Sequence, residues 1–153
     1  MSVHAWRIVE APFADQAFTG EGARLAGGRW NSPGRAIVYV AGSASLAMLE
    51  MLVHLGRQEM LRAYLLFEVT FDETLLATIE PEDLPTTWRV FPSPAAVQQI
   101  GDAWAAQAAS AVLRVPSAVM PTEWNYLLNP AHPDFVKITI GPAQPLKFDP
   151  RLT

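Results

Sequence analysis

The chain has no cysteine, which removes disulfides, zinc knuckles and thiol nucleophiles at once. Basic residues are few: 11 Lys plus Arg stand against 15 Asp plus Glu, a net charge of −4. Binding to nucleic-acid phosphates needs a basic footprint, so a general DNA or RNA binder is not expected. The three histidines, His4, His54 and His132, are scattered at spacings that form no metal-ligand motif, and no metal is expected. Long hydrophobic runs are also missing. The longest, Leu46 to Leu55, is interrupted by Glu50 and His54 and is too short to span a bilayer. The opening MSVHAWRIVEAP lacks a basic segment followed by an apolar one, so neither a leader nor a membrane partner is expected. The absence of cysteine is compatible with a reducing cytoplasm.

What is present describes a folded domain. The 153 residues suit one domain and can bury a core. Half of them are hydrophobic, 17% are charged, and the mean hydropathy is +0.14, which excludes a disordered tail or a charged coiled coil. Residues 4–9 and 36–41 read as strands, the second by its continuous apolar, β-branched character. Between them lies a Gly-rich loop from Thr19 to Arg35; six of the nine glycines fall between Gly20 and Gly42, where the backbone lies open to a ligand. Ser43 or Ser45 caps a helix that runs to about Gly56 and is apolar nearly all round, so it is expected to be buried.

Further strands are expected at 62–71, 75–80, 112–117 and 135–140, with a short edge at 146–148. Ser93-Pro94 reads as the cap and first position of a helix through Ser110, and 119–135 as mostly loop with a helical turn near Trp124. Strands and helices mix without a regular β-α-β rhythm, which favours an α+β fold.

Three residues stand out chemically. Glu50 lies in an apolar helical stripe, where a carboxylate is costly to bury unless it is paired or used. It reads either as a functional carboxylate or as a partner of His54 one turn on. Arg29, in Gly27-Gly28-Arg29-Trp30-Asn31, offers a donor fork suited to phosphate or carboxylate beside open backbone; the alternative is a surface ion pair. Tyr39 shares a strand face with Ile37 and Ala41, and reads equally as a core tyrosine with a bonded hydroxyl. Trp88, Trp104 and Trp124 read as core packing. No G-x-G-x-x-G follows a strand, and Glu50-x-x-x-His54 is no H-E-x-x-H, so a Rossmann site and a zinc protease are not expected.

Together these residues resemble a known family. Phe18, Gly20, Gly22, Ala23, Gly27, Gly28, Arg29, Trp30 and Asn31, then Tyr39, then Glu50 in L-A-M-L-E, look like the RES domain, named for Arg, Glu and Ser. Ser117 in R-V-P-S matches the Ser, the block from Asn125 to Pro133 is family-like, and Arg7 fits as well. The resemblance covers nearly the whole chain, so 1–153 is read as one RES domain.

The resemblance implies an α+β fold similar to the ADP-ribosyltransferase core of diphtheria-type toxins. It implies the toxin half of a bacterial toxin–antitoxin pair, cytoplasmic, with an Xre-like antitoxin as partner. It implies action on NAD⁺: depletion by hydrolysis or phosphorolysis, or ADP-ribosylation of a protein. Glu50, Arg29 and Tyr39 are then the catalytic candidates, and Arg29, Tyr39, Arg7, Ser117 and Asn125 the candidates for holding NAD⁺. NAD⁺ is the substrate, and no other cofactor is expected. The hydrophobic content is compatible with a homodimer. Two rival readings stand beside it: a non-catalytic nucleotide-binding or interaction module using the same cleft, and a ribonuclease toxin, which the acidic balance disfavours.

Overall fold

The computed structural model describes residues 1–152. Its centre is a long hairpin-like pair. Strand β1 (Ser2–Glu10) lies antiparallel to β3 (Tyr64–Asp72) in register from Ser2↔Asp72 to Glu10↔Tyr64. On its other side β1 meets β2 (Val38–Ala41) through Trp6↔Ala41. The sheet then continues through β6 (Trp124–Leu128) and β5 (Val112–Pro116) to the parallel edge strand β4 (Leu76–Thr78). Two short strands, β7 (Thr139–Ile140) and β8 (Gln144–Leu146), pair with the outer edge of β3. The mixed sheet and helices form the expected α+β fold.

Alternation along β2 divides the core in two, as the sequence implies. Val38 and Val40 join Ala5, Val69, Phe71, Val112 and Leu128 on one face. Ile37 and Tyr39 look the other way, toward Trp30, Val97, Trp104, Leu113 and Leu127. That second layer lies under helix α4 (Ala95–Gln107). Trp88 and Trp104 are buried there as expected, while Trp124 is half-buried beneath the Arg114 guanidinium, 4.6 Å from its ring centre.

Several expected elements change. The segment around Trp124 is neither loop nor helical turn. Pro121 and Pro130 isolate it, but its backbone is paired on both sides, by β5 and β2, and Tyr126 to Leu128 are buried. Two-sided pairing is a tertiary fact that the local sequence does not carry. The strand expected over 135–140 is instead a 3-10 turn, Pro133–Lys137, followed by the two residues of β7. Pro133 fixes φ, and the His132 ring accepts the Asp134 N–H at 2.9 Å, so the turn closes on itself.

The Gly-rich stretch contains a short helix, α1 (Glu21–Ala26), bracketed by Gly20 and Gly27 at φ of 75° and 76°. This left-handed region admits glycine without a Cβ penalty. Helix α2 (Ala44–Leu52) is capped by Ser43, whose Oγ accepts the Leu46 N–H at 3.0 Å, and it ends earlier than expected. A separate turn of helix, α3 (Arg57–Met60), follows. Nor is α2 buried all round: Leu46 and Ala47 are, but Leu49 and Val53 stay 39% and 55% exposed. Only one stripe of α2 faces the sheet, so its apolar residues on the other side face outward. Ser93 does not cap α4; Pro94 takes that position, and the Ser93 hydroxyl donates to the Arg29 carbonyl at 2.6 Å.

Ser93 is one of three residues that fasten the 27–32 loop to α4 and its approach. The Gln98 side chain donates to Gly28 O at 3.0 Å, and Asp102 accepts the Ser32 N–H at 3.1 Å. The helix can come this close because residue 101 is glycine: a Cβ there would lie 1.8 Å from the Trp30 carbonyl oxygen. Gly101→Ala is therefore expected to force the loop and helix apart. It should cost about 1–3 kcal/mol, a melting temperature lower by roughly 2–4 °C per kcal/mol at this chain length. Thermal denaturation of the purified variant measures it, and an unchanged midpoint would show that the contact has slack.

Candidate active site

Glu50 projects from the last turn of α2 and is met there by two side chains from distant strands. Its Oε1 accepts the Ser117 hydroxyl at 2.6 Å and the Asn125 Nδ2–H at 2.8 Å. Ser117 follows β5 and is fully buried. Its Oγ already accepts the N–H groups of Val119 at 3.1 Å and Met120 at 3.0 Å, so its own proton has one direction left, toward Glu50. Asn125 opens β6 beside Trp124. With Nδ2 spent on Glu50, its Oδ1 is buried without a hydrogen-bond partner among the described residues. The Glu50 Oε2 atom has no partner among them either. The alternative pairing of Glu50 with His54 does not form; the His54 ring instead tilts against Phe91, 5.6 Å between centres.

Tyr39 and Asn31 make a second knot. Tyr39 Oη accepts the Trp30 N–H at 3.1 Å and donates to Asn31 Oδ1. Asn31, fully buried, returns its Nδ2 protons to the carbonyls of Ala23 (2.9 Å), Ser32 (3.1 Å) and Arg35 (3.0 Å). One amide thus ties the loop to itself and to β2. Burial pushes the Tyr39 hydroxyl well above the usual tyrosine range, so it serves as a neutral donor. Asn31 was not among the expected site residues. Its place at the end of G-G-R-W-N was visible, but not its role as a brace.

The two arginines differ. Arg29 Nη1 donates to the carbonyls of Trp88 at 2.8 Å and Val90 at 3.1 Å, so the backbone holds it, not a surface carboxylate. Burial lowers its pKa, the nearby Glu50 and Tyr39 oppose that, and Arg89 adds to it. Arg7 sits deeper. Its Nε donates to Ala17 O at 2.6 Å and its Nη1 to Tyr39 O at 2.9 Å, and no carboxylate among the described residues pairs with it. Burial alone brings its pKa down to about 10.

These side chains surround one branched cleft. Its inner chamber, about 380 Å³, is walled by Arg7, the Gly20–Gly28 backbone, Trp30, Tyr39, Glu50 and Asn125. A neighbouring chamber of about 290 Å³ shares Arg7, Tyr39, Glu50 and Asn125 and adds an apolar wall of Trp6, Ile8, Met51 and Leu55. An outer chamber of about 310 Å³ lies between Glu50, Arg29, Arg89, Val53 and Phe91. A last one, about 320 Å³, lies between Arg29 and Pro92. Arg7, Arg29, Tyr39, Glu50 and Asn125 therefore line the cleft together. Ser117 lies behind Glu50 and fixes it from the core side. His54, not among the expected site residues, borders all four chambers. A lone histidine one turn after Glu50 carries no signal in sequence beyond that spacing.

Among the described residues no three His, Asp or Glu side chains cluster as metal ligands, and no helix is long and apolar enough to cross a membrane. The profile of the RES domain matches residues 4–149. The chain belongs to the RES domain family. It is 43% identical over 149 residues to "Toxin Res" of Yersinia enterocolitica, covering 96% of this chain and 97% of that protein. It is 38% identical over 157 aligned positions to "Prs ADP-ribosylating toxin" of a Sphingobium species, covering 99% and 98%. The fold matches the M. tuberculosis MbcT–MbcA toxin–antitoxin complex with a TM-score of 0.79 at 21% identity, over 99% of this chain and 87% of that one.

The lowered pKa of Arg7 makes a test. The folded state holds that proton less firmly than the unfolded chain does. Burying the cation therefore costs stability below about pH 10, and the cost is relieved only as pH rises through about 10 toward the ordinary arginine range. An anion seated against Arg7 relieves it at neutral pH. Millimolar inorganic pyrophosphate is expected to raise the melting temperature of this RES domain by a few degrees, and by much less in Arg7→Met. Parallel melts check this; equal rises would take Arg7 out of anion binding.

Proposed function

We propose that this chain is an NAD⁺-consuming toxin that breaks the nicotinamide–ribose bond. The observation that carries the reading is the Glu50 carboxylate, pinned through one oxygen by Ser117 and Asn125 at the wall of a cleft that also presents two arginines. Cleaving this bond turns the ribose C1′ into an oxocarbenium-like centre, as in glycoside cleavage. Nicotinamide leaves as a neutral molecule, so no strong acid is needed for its departure. What the transition state requires is fixed negative charge beside a growing positive one. Glu50 supplies it: Oε1 is held, and Oε2 is left to meet the ribose hydroxyls.

The remaining residues take complementary parts. Arg7, a half-buried cation without a carboxylate, suits the pyrophosphate, and Arg29 extends the anion-binding wall. Tyr39 presents its ring to the inner chamber with its hydroxyl locked, a surface on which a flat ring can stack. Asn125 lines the cleft and spends its Nδ2 on Glu50, so its part is to hold the carboxylate. The printed names of the relatives support the toxin assignment. The name of the Sphingobium relative supports a second reading, in which the ADP-ribose passes to a protein. The M. tuberculosis structure supports an antitoxin partner; we infer that this partner closes the cleft in the producing cell. We assign that partner the Xre type; with a net charge of −4 on this chain, any DNA contact falls to it.

Incubating the purified protein with NAD⁺ and identifying the products tests the reading; free nicotinamide is expected. Glu50→Gln keeps shape and hydrogen bonding but removes the charge. It should lower kcat by roughly a hundredfold or more while leaving NAD⁺ affinity nearly unchanged. Arg29→Ala should instead weaken NAD⁺ binding, by about 2 kcal/mol. Turnover at the wild-type rate in a folded Glu50→Gln protein would remove Glu50 from the mechanism. Tight NAD⁺ binding with no product in the wild type would favour the non-catalytic binding module.

A further inference from the structure

The reaction also needs an acceptor for the ribosyl carbon, and the cleft contains a group that none of the steps above uses. His54 follows Glu50 by one helical turn and borders all four chambers, so its ring stands where the inner cavities meet the outer ones. It is exposed, and neither imidazole nitrogen has a hydrogen-bond partner among the described residues. What fixes it is an aromatic contact: the Phe91 ring lies 5.6 Å away, tilted by 45°. Phe91 is itself 73% exposed.

Elimination narrows the choice of proton acceptor. Guanidinium groups cannot take a proton, which excludes Arg7, Arg29 and Arg89. The Tyr39 hydroxyl is committed as donor to Asn31 and as acceptor to Trp30. Glu50 has Oε1 filled by two donors, and if Oε2 faces the ribose it has no oxygen left for an incoming nucleophile. A protonated Glu50 would also lose the charge that the cationic centre needs. Among the side chains bordering the cleft, His54 alone keeps a free basic nitrogen.

We propose that His54 is the catalytic base on the acceptor side, receiving the proton of a water molecule that enters between Val53 and Phe91 and attacks C1′, with Phe91 as its positioning residue. The inference rests on the NAD⁺-cleaving reading. In the step, the C1′–N bond breaks and its electron pair stays with the nicotinamide nitrogen. A bond forms from C1′ to the water oxygen. One water proton passes to the His54 imidazole and then to solvent. The products are nicotinamide, ADP-ribose and a proton, and no further reactant is needed.

Azide separates this role from a structural one, because an anionic nucleophile attacks without losing a proton. NAD⁺ is supplied to wild type, His54→Gln, Phe91→Ala and Phe91→Tyr with and without sodium azide, and ADP-ribose and the ribosyl azide are quantified separately. His54→Gln is expected to form ADP-ribose about a hundredfold more slowly while forming the azide adduct at the wild-type rate. Phe91→Ala should shift the product ratio the same way by a smaller factor, and Phe91→Tyr should restore it. Because Phe91 is exposed, its variants fold even if a His54 variant does not. A parallel fall of both products, or no fall in ADP-ribose, would overturn the proposal while leaving NAD⁺ cleavage in place. A wild-type protein that releases no nicotinamide in either condition would overturn both.

Discussion

Everything in the site depends on two hydrogen bonds to one oxygen atom. Ser117 stands just after β5, Asn125 on the neighbouring strand β6, and Glu50 on a helix that starts just after the next strand of the sheet. Sheet register brings them together: Asn125 lies opposite Ala41 on one side and Val115 on the other. A slip of one residue in β6 would turn Asn125 to the opposite face and leave the carboxylate half held. Geometry at a single carboxylate is thus written into the pairing of three strands, and the buried Tyr126–Leu128 run that locks β6 helps to hold that carboxylate at one remove.

The same site is where the fold tolerates unfavourable terms. A half-buried guanidinium without a carboxylate and a buried amide oxygen without a donor each cost free energy, on the order of 1–3 kcal/mol for a neutral polar group. Arg7 and Asn125 line the same chamber. The surrounding scaffold offsets them with satisfied networks: Asn31 serves three carbonyls and a phenol, and the α4 side holds the 27–32 loop through Ser93, Gln98 and Asp102. Rigid surroundings around unsatisfied groups are what ligand recognition requires, since a pliable loop would collapse onto Arg7 and fill its valences from within.

Much of this was legible in the sequence, and the failures have physical reasons. Glycine spacing, the strand alternation through Tyr39 and the lone carboxylate in an apolar helix all reflect local chemistry, which the sequence states directly. The core faces of Val38 and Tyr39 follow from period two alone. The role of Ser117, locked behind Glu50, could not be read, because it depends on which backbone N–H groups the turn after β5 brings to its oxygen. β6 was hidden between prolines that speak for a loop, while the evidence for a strand lay in its partners. Likewise the exposure of Leu49 and Val53 depends on how much sheet lies beneath α2. His54 stayed invisible as a site residue because its importance is positional.

The cleft draws on residues almost a full chain apart, from Arg7 in the first strand to Asn125 in the sixth. No N-terminal fragment can complete it, since β6 supplies both Asn125 and the pairing that seats β2. During synthesis, at about 5–20 residues per second, the growing polypeptide passes about half of its time on the ribosome with Glu50 already made and Asn125 still to come. Long-range strand pairing of this kind is slow to form. The constraint of register therefore also acts as a clock: the nascent chain carries no assembled cleft until β6 has been made and paired.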